Sequence, residues 1–497
     1  MNLLQLPPEV LHVIVVGQEP LANGTTNAGA HVRNLSVMRL TPSPYGVPKA
    51  LDGMNVDGKK FKKNHEEKMK RWLSRALGSL KGLRCVSWTL SNSDPQWIRD
   101  CIIEFLVKLP TLEEFHIKWI YEISGNIRLN RMSNLKKLSI EGTSRTFGGG
   151  LLEQAVSVVS NSLNLTSLAL SNHEYYPGGD ALTFNLFFDM LPTSLPPLRL
   201  TEIISLDCPL RLDELALQYL KGLKSLKLEG KPDEEPDDVD GNEEEDSNIN
   251  WAKDRSDEEE DGEGKGSSSR QPKSQPNPIL VNQIQDRRPK STAFWSKLRL
   301  SDIQLERLHL EDVDHSALGY LASYSGLRAL HFPHVDASRG AIVAHLATMF
   351  FMEVLPKHVE TLEELTLVSS YLPAWSLSAQ NLMLISQCKN LRTLHVSWEP
   401  NAAGSIKTFY SILDLSKTFP CLQSLTISFA YPRFMRGARS GTRMRSRDSY
   451  RRKVTEIFPG YEQVDITKNL YMVEAGGLRF KLRPREDLNG YRYQFAG

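Results

Sequence analysis

One six-residue pattern of apolar and polar positions recurs along the whole chain: apolar, two variable residues, apolar, one variable residue, apolar. It stands first as VRNLSV (Val32–Val37), LRCVSW (Leu83–Trp88), LEEFHI (Leu112–Ile117), LKKLSI (Leu135–Ile140) and LTSLAL (Leu165–Leu170). A weaker copy, LTEIIS, starts at Leu200, and LKSLKL follows at Leu223–Leu228. Further on come LERLHL (Leu305–Leu310), LRALHF (Leu327–Phe332), LEELTL (Leu362–Leu367), LRTLHV (Leu391–Val396) and LQSLTI (Leu422–Ile427). A looser copy, YEQVDI, begins at Tyr461. The period of two at the end of each hexad predicts a short strand with one buried and one exposed face.

Between hexads the period changes to that of a helix. In DPQWIRDCIIEFLVKL, Ile98, Ile102, Phe105 and Leu109 fall on one face. Asp94 is placed as the N-cap, with Pro95 in the first turn. AIVAHLATMFFMEVL (Ala341–Leu355) and SIKTFYSILDL (Ser405–Leu415) read the same way, and the glycines of Phe147-Gly148-Gly149-Gly150 open a helix at Leu151. Hexad starts are mostly 22 to 35 residues apart. A strand and then a helix, repeated at that interval, is the signature of leucine-rich repeats. Each unit is too small to bury its own apolar face, so neighbouring units stack their leucines into one continuous core. The expected fold is an α/β leucine-rich-repeat solenoid, with a parallel sheet on the concave face and helices on the convex face.

Three segments depart from the repeat. Thr41–Lys63 is rich in Pro, Gly and Lys. Residues 231–290 are of low complexity, and Glu229–Glu263 alone holds 18 acidic and 3 basic residues. A segment of that composition has little to bury and repels itself, so it is expected to be a long disordered insertion. Arg433–Lys453 carries nine basic residues and one acidic. The overall charge of +1 therefore hides a strong segregation, with −15 in the acidic stretch against +16 elsewhere. The expected organisation is an N-terminal segment (1–30), repeats (31–230), the acidic insertion (231–290), repeats with a basic loop at 433–453 (291–470), and a C-terminal cap of strands (471–497).

The start of the chain carries a different motif. Leu6-Pro7-Pro8-Glu9-Val10-Leu11 and Ile14-Val15 resemble the opening of the F-box, which begins Leu-Pro-x-Glu and continues as an amphipathic helix. Pro7 and Pro8 suit a first helical turn, Glu9 favours the positive end of the helix dipole, and the apolar residues form a stripe. Placed just before irregular leucine-rich repeats, the motif resembles the F-box/leucine-rich-repeat proteins numerous in fungi. In that family the F-box docks on the Skp-type adaptor of a cullin ubiquitin ligase, and the repeats hold the substrate. The resemblance implies adaptor contacts through Leu6, Pro7, Glu9, Leu11 and Ile14. The chain departs from the family after Val15: the later helices of an F-box are missing, and the first tryptophan is Trp72.

The variable residue between the last two apolar positions of each hexad points to the concave face. Those positions include His116, Lys227, His309, His331 and His395, and Trp119 and Trp398 lie just beyond two of the hexads. Together these seven make the candidate concave binding surface, the tryptophans either as interface anchors or as rings packed under neighbouring loops. His309 and His331 sit on successive strands, but no cysteine or carboxylate of regular spacing joins them, so no metal site and no cofactor is expected. The five cysteines form no CxxC pair and read as reduced thiols of a cytoplasmic or nuclear protein. No secretory leader or apolar run long enough for a bilayer is apparent, so no membrane role is expected. Catalytic motifs such as GxxxxGK[ST], HExxH and GxSxG are absent from the sequence, and the chain reads as a non-enzyme. The expected function is substrate recognition for a cullin ligase, with a protein target on the concave face. The alternative is an interaction scaffold outside ubiquitin chemistry, nuclear and nucleic-acid associated through the basic loop.

Overall fold

The structure is a computed structural model, and it describes residues 32–37, 67–229 and 289–495 apart from short stretches within them. Leu6, Pro7, Glu9, Leu11 and Ile14, the segment Thr41–Lys63, the acidic residues 231–288 and the YEQVDI hexad at Tyr461 lie outside the described residues.

Among the described residues, fifteen strands form one sheet whose spatial order is the order of the chain. β1 (Asn34–Val37), β2 (Cys85–Leu90), β3 (Glu114–Trp119), β4 (Lys137–Gly142), β5 (Ser167–Asn172), β6 (Glu202–Leu206) and β7 (Ser225–Glu229) precede the acidic stretch. After it come β8 (Arg307–Leu310), β9 (Ala329–Val335), β10 (Glu364–Ser369), β11 (Thr393–Trp398) and β12 (Ser424–Phe429). Each of these twelve holds the end of a hexad. The opening apolar residue of the hexad precedes the strand, in the turn that feeds it. β13 (Met472–Ala475) extends the parallel sheet, and β14 (Leu478–Pro484) and β15 (Tyr491–Phe495) add to it antiparallel.

Alternation sorts the side chains. In β3, Phe115, Ile117 and Trp119 are buried while Glu114, His116 and Lys118 are half-exposed. β2 and β11 repeat the same inward set through Val86, Trp88 and Leu90, and through Leu394, Val396 and Trp398. Burial of one such leucine or isoleucine is worth roughly 1.5–3 kcal/mol, so the stacked rows dominate the stability. The helices cover the inward face. Gln96–Val107 buries Ile98 and Ile102, with Phe105 partly buried behind them. Aromatic rings fill the wider gaps: Trp375 meets Phe350 at 5.4 Å and Phe332 edge-on at 6.0 Å.

Caps set where several helices begin. Asp213 Oδ1 accepts from the Ala216 N–H at 2.7 Å, Asp314 Oδ1 from Ala317 at 2.8 Å, and Thr183 Oγ1 from Leu186 at 3.3 Å. The start near Asp94 differs from the sequence expectation. Pro95 is itself the cap residue, its carbonyl accepting from Ile98 N–H at 3.0 Å, and the helix begins at Gln96. Phe147–Leu151 does open a helix, through one π-helical turn that continues as Leu152–Ser160.

Two further expectations need correction. The basic stretch read as a loop at 433–453 is helical from Ser440 to Ile457. Its last turn buries Val454 and Ile457, and Tyr410 Oη donates to the Ile457 carbonyl at 3.0 Å, so tertiary contacts hold a segment with little apolar pattern of its own. At the other boundary, helix Pro289–Leu300 starts two residues inside the segment expected to be disordered to 290.

A backbone device locks each repeat to the next. The carbonyl of one residue in each turn accepts two N–H groups from the following repeat, as Arg84 does from Glu113 (2.8 Å) and Glu114 (2.9 Å). The same pairing joins Glu306 to Arg328 and Ala329, and Glu363 to Arg392 and Thr393. It also spans the acidic insertion, where Lys224 accepts from Glu306 and Arg307. At several of these turns the side chains also pair opposite charges: Lys136 meets Glu113 at 3.0 Å, and Arg392 meets Glu363 at 3.6 Å. Such exposed pairs contribute less than about 1 kcal/mol each.

Candidate functional site

The parallel register places one variable residue of each hexad in a single row across the open face of the sheet. Pairing runs Ser87, His116, Ser139, Ala169 and Ile204, then Lys227, His309 and His331, then Thr366, His395 and Thr426, ending at Glu474. His116, Lys227, His309, His331 and His395 all stand in this row, partly exposed. The second half of the row is the more polar.

Trp119 and Trp398 are not part of that surface. They are 4% and 2% exposed, pointing inward with the leucines. The reason is register: each lies two residues past the last apolar position of its hexad and is still in the strand, so alternation turns it to the core. Trp398 Nε1 donates to the Ser405 carbonyl at 2.8 Å and its ring packs on Phe409 at 4.8 Å, which fastens helix Ser405–Ser416 to the sheet.

Around the histidines the hexad pattern places Thr366 on the same face but does not show the carboxylates or Ser428 that help organise them. Glu229 Oε1 lies 2.7 Å from Lys227 Nζ and 2.9 Å from His309 Nε2, the second contact being out of line for a hydrogen bond. His309 and His331 stack at 5.8 Å between ring centres. His331 Nε2 lies 3.5 Å from Glu364 Oε2, and its Nδ1 lies 2.9 Å from Thr366 Oγ1. A neutral ring protonated on Nε2 satisfies both, accepting from the threonine hydroxyl. His395 Nε2 is 2.7 Å from Ser428 Oγ.

Burial lowers the pKa of each of these rings. His309 is pushed down to about 4, by burial first and by the Lys227 ammonium second, against the opposing pull of Glu229. His331 is lowered by burial, with Glu364 opposing, and His395 by burial, with Glu474 opposing. At neutral pH the imidazoles are therefore uncharged, and with the hydroxyls, Glu229, Glu364, Glu474 and Lys227 around them they make a set of hydrogen-bond donors and acceptors suited to a polar polypeptide surface. The two stacked histidines each turn to a separate carboxylate.

A second cluster lies at the other end of the sheet. Cys85 on β2 pairs in register with Glu114 on β3, and His116 follows two residues later on the same face. Their thiol sulfur, carboxylate oxygen and ring nitrogen lie within 4.8 Å of one another. The cysteines otherwise show no pairing: all five are free thiols. Spacing along the chain conceals this trio because its members meet across strands; the hexad alignment LRCVSW over LEEFHI is the signal that contains it.

No family model matches the chain, and no curated protein matches it. Among solved structures, the crystal structure of a TLR13–ssRNA13 complex aligns with 72% of this chain and 73% of that one. The identity is 12% and the TM-score 0.15, a likeness that carries no argument about fold or function. Among the described residues no helix is long and apolar enough to cross a membrane.

Proposed function

We propose that this chain is a leucine-rich-repeat recognition protein that holds a protein partner on the open face of its sheet and serves as a substrate-recognition subunit of a cullin-type ubiquitin ligase. The observation that supports partner binding is the row Lys227–His309–His331–Thr366–His395 with Glu229 and Glu364 beside it. Its lysine, histidine and glutamate side chains are partly exposed, with Thr366 buried beneath His331; hydrogen bonds and ring stacking pre-position them on the sheet. Rigid placement lowers the entropy cost of binding. The link to the ligase comes from the Leu6–Val15 motif alone and its position before the repeats. In this reading Leu6, Pro7, Glu9, Leu11 and Ile14 contact the Skp-type adaptor, and the chain itself performs no catalysis.

The face assignment is tested by photo-crosslinking in cells. A photoreactive amino acid at Thr426, on the open face, should capture a protein that the same probe at Met383, on a helix and 62% exposed, does not. The capture should fall with His309→Ala and His331→Ala. Equal capture from both positions would contradict the assignment. The competing reading, an interaction scaffold outside ubiquitin chemistry, keeps the same face and drops the adaptor. A nucleic-acid role for helix Ser440–Ile457 would show as binding that weakens steeply with salt and is lost on replacing its arginines.

A further inference from the structure

We propose that Cys85, Glu114 and His116 form a binding site for a divalent transition metal, zinc above all, on the open face of the sheet. Register brings the donors together without any loop to close. Cys85 and Glu114 are direct partners across β2 and β3, and strands lie roughly 4.7–4.9 Å apart. His116 projects to the same face as Glu114 because two residues separate them. The three ligand atoms already lie within 4.8 Å of one another. Tetrahedral zinc, with bonds of about 2.0–2.3 Å, needs them within about 3.3–3.8 Å, a change that side-chain rotation supplies.

The donor set selects the metal. A sulfur and an imidazole nitrogen exclude calcium and magnesium, which take oxygen, and suit zinc and its neighbours. Three protein ligands leave a fourth position for water or for a side chain of a bound partner. The local chemistry is compatible with loading. His116, lowered by burial, is neutral at neutral pH and keeps a lone pair for the metal. Cys85 is a protonated thiol, raised by burial and then by Glu114, to which it hydrogen-bonds. Binding would remove that proton to solvent and replace the S–H···O contact with metal–sulfur and metal–oxygen bonds. Glu114 also meets Lys137 Nζ at 3.1 Å, but the lysine side chain is 47% exposed and has room to swing into water. By contrast Cys208 and Cys388 are buried in the core, their thiols pushed up to about 12 by burial.

Cobalt(II) reports the site directly, since a cobalt–thiolate bond gives a charge-transfer band in the near ultraviolet. The full chain, titrated with cobalt, should develop that band at one equivalent and lose it when zinc is added. Cys85→Ser should abolish it, while Glu114→Gln and His116→Ala should weaken zinc binding at least tenfold. Cys421→Ser, at a partly exposed free thiol just before β12, should leave the band unchanged. A measurement without variants accompanies these: zinc should slow alkylation of Cys85, followed by mass spectrometry, and leave the alkylation of Cys421 as it was. No band, a band that survives Cys85→Ser, or Cys85 alkylation indifferent to zinc would overturn the proposal.

Discussion

The Lys224 carbonyl accepts a hydrogen bond from the Glu306 N–H at 2.7 Å, and their side chains form an ion pair at 2.7 Å, although 82 residues separate them. The same carbonyl takes the Arg307 N–H at 2.9 Å, and β7 pairs with β8 over four residues. The sheet thus runs across the acidic insertion with the same contacts that join any two consecutive repeats.

Removing residues 232–287 and closing the gap with a flexible linker of ten residues should therefore leave the fold intact. Shortening the connection lowers the entropy cost of closing it, by about 1.5 kcal/mol at roughly 0.6 kcal/mol per halving of length. Urea denaturation followed by circular dichroism should show an unchanged native spectrum and a midpoint equal to or above that of the full chain. A lower midpoint would mean that the insertion contributes contacts of its own.

His358 should make stability depend on pH. It is 1% exposed, accepts from the Leu327 N–H at Nδ1 (3.3 Å), and donates from Nε2 to the Leu321 carbonyl (3.1 Å). Burial pushes its pKa down to about 4 from 6.5. Below pH 6.5 the unfolded chain takes a proton that the native ring refuses, so stability rises with pH through this window. The contribution is complete above about 6.5 and is lost as pH falls towards about 4, in total on the order of 3 kcal/mol. The rings of His116, His309, His331 and His395 act in the same direction. Melting temperatures across that range should slope less for His358→Ala than for the natural chain; an identical slope would rule out this residue as a source.

Trp398 should behave as a core residue. Trp398→Ala is expected to cost about 3–5 kcal/mol. Trp398→Phe retains most of the packing but loses the bond to Ser405, and should cost about 1 kcal/mol. Denaturation of both variants checks this, and near-neutral stability of the alanine variant would return Trp398 to the list of surface anchors.

Much of the fold was legible because its signal is local and repeated. Even the weak LTEIIS copy coincides with β6, since Ile203 and the leucine at 200 still supply the buried positions. The limits of that signal are equally physical. Of the two readings open for Trp119 and Trp398, burial favours packing over anchoring, because the strand runs two residues past the last apolar position of the hexad and alternation turns both rings inward. The helix Ser440–Ile457 has no apolar face to announce it, and Val454 and Ile457 are buried against the body near its end. Glu229, Glu364 and the Cys85–Glu114–His116 trio depend on which strand lies beside which, and spacing along one strand does not carry that. Aligning the hexads against one another, as the sheet does, would have exposed all of them.

Adaptor binding tests the proposed role most directly. Purified Skp-type adaptor is titrated against the full chain and against a version lacking residues 1–30, with affinity read by calorimetry. The account predicts micromolar or tighter binding by the full chain and none by the shortened one. Absence of binding by both, or equal binding by both, would contradict it and leave the repeats as a recognition surface outside the ubiquitin system.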